Sequence, residues 1–211
     1  MSTRLRAVDA LDAAFTGSAC EVVTGDGLIV PLPIGRWSGE PDLADRRLLL
    51  DPCTGPTLDV GCGPGRLTAA LGRRGVPAMG IDISGIAVLR TQRRGAPALR
   101  RDVFGEVPAT GRWSHVLLAD GNVGIGGDPQ RLLARVRELL HPGGTVLAEV
   151  AGRGVGLRSE SMRLRLGGEL TRAFSWSFVG IDAIVALAAG AELSLLEIAV
   201  ASGRYVARLQ R

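Results

Sequence analysis

The sequence predicts an α/β fold built on a mostly parallel sheet with helices on both faces. Between residues 57 and 150, short apolar runs alternate with stretches of helical periodicity. Glycine-rich turns or helix-capping residues, such as Ser84 and Asp128, separate the two kinds of segment. Parallel neighbours in a sheet need a crossover connection, usually a helix, so this alternation favours parallel strands over hairpins.

Seven strands and the helices between them follow from these patterns. The first five strands fall at 57–61, 76–82, 98–101, 114–119 and 145–150. Helices are predicted over 65–74, 84–94, 129–140 and 180–189. The last two strands, 193–200 and 204–209, are joined by a short turn and form an antiparallel pair. The predicted architecture is a Rossmann-like, seven-stranded, mostly parallel sheet with helices on both faces and an antiparallel final strand.

Two segments lie outside this alternation. In the first 50 residues we predict a helix over 3–16, a hairpin within 20–33, a loop over 36–41 and a helix from Pro41 to Leu50. Residues 151–178 predict a hairpin or extended flap. We therefore expect a single domain over residues 1–211, divided into a cap (1–50), a core (57–150), a flap (151–178) and a C-terminal helix with its strand pair (179–211).

The composition limits the classes of protein to consider. The formal net charge is +4, and all 25 basic residues are arginine. Basic residues do not alternate with aromatic ones in any continuous run, so nucleic-acid binding is not indicated. No apolar run reaches membrane-spanning length, and Met1–Arg6 contains no apolar signal core, which predicts a soluble, cytoplasmic protein. The three cysteines lack metal-ligand spacing, so we predict reduced thiols and no metal site.

The glycine-rich turn after the first core strand carries the strongest motif. It reads Asp59-Val60-Gly61-Cys62-Gly63-Pro64-Gly65 and leads directly into a helix, so backbone N–H groups and the helix N-terminus can face a ligand. A dinucleotide fingerprint would require its third glycine at position 66, which is arginine. An acidic residue followed by G-x-G-x-G resembles motif I of class I S-adenosylmethionine-dependent methyltransferases. The resemblance implies that Asp59, Gly61, Gly63 and Gly65, with the backbone of Cys62, hold the methionine part of that cofactor. A tight strand–helix turn without a ligand is the alternative.

Two further acidic residues follow core strands. Asp82 lies 21 residues after Gly61, close to the spacing of about 20 expected for a carboxylate that binds ribose hydroxyls. We include its neighbour Ile83 in the predicted cofactor site. In the family, an Asp at the position of Asp102 accepts from the adenine amino group and the next residue, here Val103, packs on the ring. For both acids, an ordinary loop or cap role is the alternative.

The stretch Asp120-Gly121-Asn122 follows the fourth strand, where the family chain passes beside the transferred methyl group. The resemblance predicts Asp120 and Gly121 in cofactor binding, and Asp120 and Asn122 as catalytic or substrate-orienting residues. Turn chemistry at a strand end is the alternative. The Asn/Asp/Ser-Pro-Pro-aromatic tetrad of base-modifying methyltransferases is absent here, which argues against methylation of amino groups on nucleic-acid bases.

The segments outside the core are where such enzymes build their substrate pockets. Trp37 in the cap and Trp176 in the flap are therefore predicted to contact substrate, pack as a lid, or both. Asp42 and Asp45 are one helical turn apart and either face the same pocket or form a solvated helix face.

The sequence thus resembles small stand-alone bacterial class I methyltransferases. The resemblance implies S-adenosyl-L-methionine as cofactor and in-line methyl transfer to a small-molecule acceptor, with Asp120, Asp42, Asp45 or no residue as general base. A nucleic-acid methyltransferase and a non-catalytic cofactor-binding protein are the alternatives. The position of the third glycine, at 65 rather than 66, and the final antiparallel strand pair disfavour an NAD-dependent oxidoreductase. The sequence leaves open whether the chain forms a homodimer through its N-terminal hairpin.

Overall fold

The computed structural model describes residues 5–211, whose strands form two sheets. In chain order the strands are β1 (Cys20–Val23), β2 (Ile29–Pro31), β3 (Thr57–Val60), β4 (Ala78–Asp82), β5 (Ala98–Arg100), β6 (Trp113–Leu118), β7 (Leu140–Val150), β8 (Leu157–Leu166), β9 (Glu169–Leu170), β10 (Phe174–Val179), β11 (Ser194–Ala201) and β12 (Arg204–Gln210).

The helices connect and cover these strands. They are α1 (Ala7–Phe15), α2 (Ile34–Ser38), α3 (Leu43–Asp45), α4 (Arg66–Arg73), α5 (Gly85–Arg93), α6 (Pro129–Leu139) and α7 (Ile184–Gly190). A π-helical turn over Arg46–Leu50 continues α3, and a 3₁₀ turn over Asn122–Gly124 follows β6. Among the described residues, no helix combines the length and apolarity needed to cross a bilayer.

The main sheet has the predicted seven strands in the order β11-β12-β7-β6-β3-β4-β5. The five core strands pair in parallel. The last strand, β12, inserts between β7 and β11 and runs antiparallel to both. The Rossmann-like fold class and the antiparallel final strand are therefore confirmed. The carboxyl ends of β3, β4, β5 and β6 meet at one edge, where open α/β sheets bind their ligands.

Apolar side chains fill both faces of the main sheet, which explains why helices cover both. Along β6, Val116 and Leu118 belong to one buried cluster with residues of α6 and α7. The intervening Leu117 belongs to a second cluster with residues of α4 and the π-helical turn. Successive strand residues point to opposite faces, so the continuous apolar run of β6 serves both layers.

A small antiparallel sheet joins two segments that are distant in the sequence. Its strand order is β10-β8-β1-β2, and β9 pairs with β8. Glu21 of β1 is in register with Arg165 of β8, and their side chains form an ion pair at 2.6 Å. We predicted the N-terminal hairpin and the flap as separate hairpins. The structure instead combines them into one sheet, here called the small sheet.

Helix α1 is fixed to the core by a polar contact at the start of α5. Its Asp12 carboxylate accepts from the Ser84 hydroxyl and from the backbone N–H of Ile86. Ser84 itself caps α5 by accepting from the Ala87 N–H at 2.9 Å, as predicted. The predicted helix over 3–16 corresponds to α1, and its residues 3 and 4 lie outside the described part of the chain.

Three local predictions differ from the structure. Residues 36–41 were expected to form a loop, but Pro33 leads into the single-turn helix α2. The fifth core strand begins at Leu140, because a register shift opposite Trp113 lets β7 start directly after α6. His141 therefore lies in β7. Helix α7 ends one residue beyond the predicted helix over 180–189, because Gly190 is still helical and Ala191 takes the C-cap position.

Candidate functional site

A cavity of about 680 Å³ lies between the carboxyl edge of the main sheet and the segments that cover it. One side, here called the core wall, consists of lining residues from 59–67, 81–83, 101–104 and 119–126. The other side, the cap wall, consists of lining residues from α1, the small sheet and residues 32–37. The cavity therefore brings together the predicted cofactor motifs and the two segments outside the core.

The three glycines of the turn after β3 have different roles. All have positive φ, at +68° for Gly61, +54° for Gly63 and +83° for Gly65, which favours glycine. A Cβ on Gly61 would lie 2.6 Å from the Asn122 side chain, and one on Gly65 would lie 2.6 Å from Thr91. A Cβ on Gly63 would meet no protein atom within 4 Å and would enter the cavity. Gly63 thus presents bare backbone to a ligand, whereas Gly65 is needed for packing and does not line the cavity.

Asp59 and Cys62 are buried on either side of Gly61. The Asp59 carboxylate accepts from the Thr68 hydroxyl at 2.7 Å, and burial raises its pKa to about 6. Burial likewise raises the pKa of the Cys62 thiol well above its ordinary value. A Cβ added to Gly80 would lie 2.5 Å from the Cys62 sulfur, so this side chain fills space between strand and turn.

Asp82 lies at the end of β4 with both carboxylate oxygens oriented by backbone donors. One oxygen accepts from the Gly63 N–H at 2.9 Å and the other from the Ser84 N–H at 2.8 Å. Burial raises the pKa of this carboxyl group above its ordinary value. Its neighbour Ile83 also lines the cavity and is half exposed. The carboxylate is therefore held in one orientation at the cavity edge and retains lone pairs for a ligand.

The residues after β5 place an apolar surface, formed by Val103 and Phe104, next to the Asp102 carboxylate. The Asp102 carboxylate accepts from the Phe104 N–H at 3.0 Å, and Val103 is buried against the cavity. The Phe104 ring also lines the cavity, with the Arg131 guanidinium over it at 4.3 Å from the centroid. We did not predict Phe104, although an aromatic residue directly after the Asp102-Val103 pair is a usable signal for a ring-binding shelf.

Asp120 has a strained backbone and a fully engaged side chain. Its φ is +52°, which is unfavourable for a residue with a Cβ. Its N–H donates to the Glu149 carboxylate at 2.8 Å. One side-chain oxygen accepts from Arg36 at 3.1 Å and the other from Arg66 at 2.5 Å. Asp120 lines the cavity as predicted, and two guanidinium groups hold it there.

The next two residues, Gly121 and Asn122, determine the backbone conformation of the loop after β6. The Asn122 amide donates to the carbonyl oxygens of Val60 and Gly61, at 2.9 and 3.1 Å. This pair of bonds ties the loop after β6 to the glycine turn after β3. Gly121 has a φ of +81° and does not line the cavity. Asn122 therefore positions the loop after β6 against the glycine turn, and Gly121 is a turn residue outside the cavity lining.

We predicted that Asp42 and Asp45 either face the acceptor pocket or form a solvated helix face, and the structure shows that neither residue lines the cavity. Asp42 caps α3 by accepting from the Asp45 N–H at 2.7 Å. Asp45, with 1% of its side chain exposed, accepts from three arginines, Arg36, Arg66 and Arg204. Burial opposes its ionisation, but the hydrogen bond and charge of Arg66, with hydrogen bonds from Arg204 and the Asp42 N–H, together hold the Asp45 pKa below its ordinary value.

These side chains belong to one cluster of charges, here called the ion network. Its members are Arg36, Asp42, Asp45, Arg66, Asp120, Glu149 and Arg204. The sequence does not predict the three arginines of this network, because composition does not distinguish a buried arginine from an exposed one. The position of Arg66 immediately after Gly65, at the start of a helix that should avoid cations, was the available signal.

Arg66 also has a side-chain donor without a partner in the described part of the chain. It is 3% exposed, it lines the cavity, and its buried Nε has no hydrogen-bond partner within the described residues. A buried donor without a partner is costly, and an acceptor on a bound ligand would satisfy it. Both Arg66 and the bare backbone of Gly63 line the cavity.

The cap wall contains both tryptophans predicted for the acceptor side. Trp37 of α2 packs against Phe15 of α1, with ring centroids 6.4 Å apart. Trp176 of β10 lies beside the 3₁₀ turn, since a Cβ built on Gly124 would be 2.9 Å from its indole nitrogen and would clash with the Ser177 carbonyl. Gly124 thus allows the loop after β6 to pack directly against the small sheet.

Comparisons with known proteins agree on the family. A family model described as "Methyltransferase domain" matches residues 40–198, most of the chain. Comparison with curated proteins finds no match.

Several solved structures share the fold. A SAM-dependent methyltransferase from Bacteroides fragilis, in complex with S-adenosyl-L-homocysteine, has a TM-score of 0.82 at 22% identity, covering 98% of this chain and 97% of that chain. One from Methanosarcina mazei has a TM-score of 0.63 at 15% identity, covering 82% and 99%. The 1,6-didemethyltoxoflavin-N1-methyltransferase of Burkholderia thailandensis has a TM-score of 0.54 at 18% identity, covering 74% and 70%.

Identities this low establish the fold, and the family model establishes the membership. The chain belongs to the methyltransferase-domain family and is a class I S-adenosylmethionine-dependent methyltransferase.

Proposed function

We propose that this enzyme methylates a small-molecule acceptor bound in the cavity between the core wall and the cap wall. The observation that carries the proposal is the cavity itself. Its volume of about 680 Å³ falls within the range of about 300–1,000 Å³ typical of small-molecule sites. It is lined on one side by the cofactor motifs and on the other by the cap and flap, so one enclosed space holds both reactants.

The core wall supports a definite arrangement of the cofactor. Asp82 is oriented to accept from the two ribose hydroxyls, and each charge-assisted bond contributes about 1.5–3 kcal/mol. Asp102 and Val103 stand at the adenine end, with Phe104 beside them. For the methionine part, the lining offers the positive charge of Arg66 and the bare backbone of Gly63, which leaves space for a ligand.

The residues of this chain then contribute alignment and exclusion of water. When bound, the cofactor supplies a methyl group already activated by the sulfonium charge. Asn122 holds the loop after β6 against the glycine turn, and Arg36 and Arg66 fix Asp120 beside the same point. Holding two reactants in line contributes about 7–11 kcal/mol to lowering the barrier. We assign Asp120 and Asn122 to this positioning rather than to proton transfer.

The lining of the cavity favours a small molecule over a nucleic acid. The side chains with which the cap and the flap line it are apolar rather than basic, which suits a small acceptor better than a polynucleotide. The Burkholderia neighbour holds a small heterocycle, 1,6-didemethyltoxoflavin, in its structure. We further propose a cytoplasmic enzyme of one domain, in which residues 57–150 bind the cofactor, and residues 1–50 and 151–178 enclose the acceptor.

The first test measures cofactor affinity in a variant of the ribose site. Asp82→Ala should weaken S-adenosylmethionine by roughly 1.5–3 kcal/mol, about ten- to a hundredfold in Kd, by titration calorimetry. Asp128→Ala is the matched control, because Asp128 only caps α6 outside the cavity. Equal affinities in the two variants would remove Asp82 from the ribose site.

The second test identifies the class of acceptor. The enzyme is incubated with methyl-labelled cofactor and either a panel of small aromatic and aliphatic compounds or total RNA. Label transferred to small molecules supports the proposal. Label transferred only to RNA, with binding that weakens steeply as salt increases, would favour the nucleic-acid alternative.

A further inference from the structure

The aromatic residues of this chain are concentrated around one cavity. The sequence has only four Phe, three Trp and one Tyr. Six of these eight residues line the cavity: Phe15, Trp37, Phe104, Phe174, Trp176 and Phe178. The buried clusters of the main sheet are filled almost entirely by Leu, Val, Ala and Ile. Aromatic rings were therefore not required to build the core, and their position points to a ligand with a ring of its own.

The cap wall offers this ligand almost no polar partner. Of the side chains that line it, only Ser175 carries a hydroxyl, and Ser175 is exposed at the rim. The remainder are aliphatic, proline, methionine or aromatic, with Met162 and Leu164 buried. A charged group on the part of the acceptor that contacts the cap wall would lose its hydration without gaining a hydrogen bond, which is unfavourable. The wall therefore selects an apolar acceptor.

The described residues supply no side chain suited to deprotonating the acceptor. No His, Glu or Tyr lines the cavity, and the chain contains no Lys. The lining carboxylates all belong to the core wall and are engaged there: Asp59 is buried against the Thr68 hydroxyl, Asp120 is held by two guanidinium groups, and Asp82 and Asp102 are the residues proposed to bind the cofactor. Both oxygens of Asp120, the carboxylate beside the loop after β6, are occupied by guanidinium groups.

The other titratable groups of the lining do not act as bases either. Arg66 and Arg101 are cations, and Cys62 is buried with its sulfur packed against Gly80. The two histidines lie away from the cavity. His115 is bonded to Thr54 and Thr145, and His141 to the carbonyl of Pro142. The acceptor must therefore arrive with its nucleophile already unprotonated.

We infer that the acceptor is a planar, apolar aromatic compound whose own thiol or hydroxyl ionises near neutral pH, and that the protein supplies no general base. This inference rests on the proposed function. In the transfer step the acceptor anion uses a lone pair to form a bond to the methyl carbon. The carbon–sulfur bond of the sulfonium group breaks, and its electron pair stays on that sulfur, which becomes an uncharged thioether. The proton has already left to water, so the charges balance without a protein base.

The test compares the pH dependence of two aromatic thiols, thiophenol and phenylmethanethiol, between pH 7 and 10 with saturating cofactor. This range lies above the pKa of Asp59, at about 6, so that carboxyl group does not contribute an inflection. Thiophenol is already ionised here, and its kcat/KM should be level. Phenylmethanethiol is an ordinary thiol, and its kcat/KM should rise about tenfold per pH unit until its own pKa near 9. Profiles that rise together with one shared inflection would reveal a protein base and overturn the inference.

A variant pair tests the aromatic wall. Trp176→Ala should lower kcat/KM for thiophenol by about tenfold or more while leaving cofactor affinity unchanged. Trp113→Phe is the control, because Trp113 is buried outside the cavity. If calorimetry shows cofactor binding but neither thiol is methylated, the inference about the acceptor is wrong and the proposed function survives. If the cofactor does not bind, the proposed function itself fails.

Discussion

The core wall and the cap wall are built from the chain in different ways. The core wall takes its residues from the ends of successive parallel strands, and it holds all the charged groups that line the cavity. The cap wall takes its residues from segments before and after the core, and it is apolar except for Ser175. Fixed polar groups suit one invariant ligand, whereas an apolar surface selects by shape. This difference is why we propose that the cofactor binds the core wall and the acceptor binds the cap wall.

The largest effect is expected from breaking the ion network behind the core wall. Arg66→Met removes the buried one of the two guanidinium groups that Asp45 and Asp120 share, the other being Arg36, and removing one partner of a buried pair costs about 3–5 kcal/mol. Urea unfolding should show this loss in the free energy of unfolding.

The control for that variant lies on the same helix. Arg73 pairs with Glu40 on the surface, and Arg73→Ala should change the free energy of unfolding by less than about 1 kcal/mol. Similar losses for both variants would mean that the ion network contributes no more than an exposed pair.

The next effect concerns the buried carboxyl group under the glycine turn. The pKa of Asp59 is raised from 3.8 to about 6, so the folded state holds this proton more tightly than the unfolded chain does. Its contribution to stability is therefore complete below about pH 4 and is lost as pH rises to about 6. Asp59→Asn cannot titrate, and without cofactor it should be more stable than the wild type at pH 7, by up to about 3 kcal/mol.

The measurement is the difference in unfolding free energy between Asp59→Asn and the wild type at pH 4, 5, 6 and 7. We expect the difference to grow with pH and then become level. A constant difference would show that Asp59 titrates alike in both states.

The smallest effect distinguishes a ligand-facing glycine from an ordinary turn glycine. Gly63 and Gly75 both have positive φ, and a Cβ on either would meet no protein atom. Alanine at either position should cost about 1 kcal/mol of stability. Only Gly63→Ala places a methyl group in the cavity, so only this variant should bind the cofactor more weakly, by about tenfold in calorimetry. Equal cofactor affinities would place the ligand elsewhere.

The parts that the sequence predicts well are those in which local pattern and fold agree. Alternating apolar runs and helical periods predict the main sheet, and capping residues such as Ser84 and Asp128 mark where its helices begin. The positions of Asp82, Asp102 and Asp120 on the cavity follow directly, because the carboxyl ends of parallel strands meet at one edge.

The parts that the sequence does not predict depend on contacts between distant positions. Pairing of β1 with β8 cannot be read from two separate hairpin patterns, since each pattern is complete without the other. Asp42 and Asp45 have the spacing of a solvated or pocket-facing pair, but three arginines from α2, α4 and β12 bury Asp45 instead. Such a cluster is fixed by the fold and has no local sequence signature.

The pairing of β1 with β8 also bears on the order in which this molecule assembles. The Glu21–Arg165 contact joins positions 144 residues apart, and closing so long a loop is entropically expensive while the intervening chain is unfolded. Once the main sheet has formed, the segments that carry β1 and β8 already lie near each other, so the remaining entropic cost of pairing them is small. We therefore expect the small sheet to be completed last, and a cofactor that binds the main sheet would stabilise the state from which that final step proceeds.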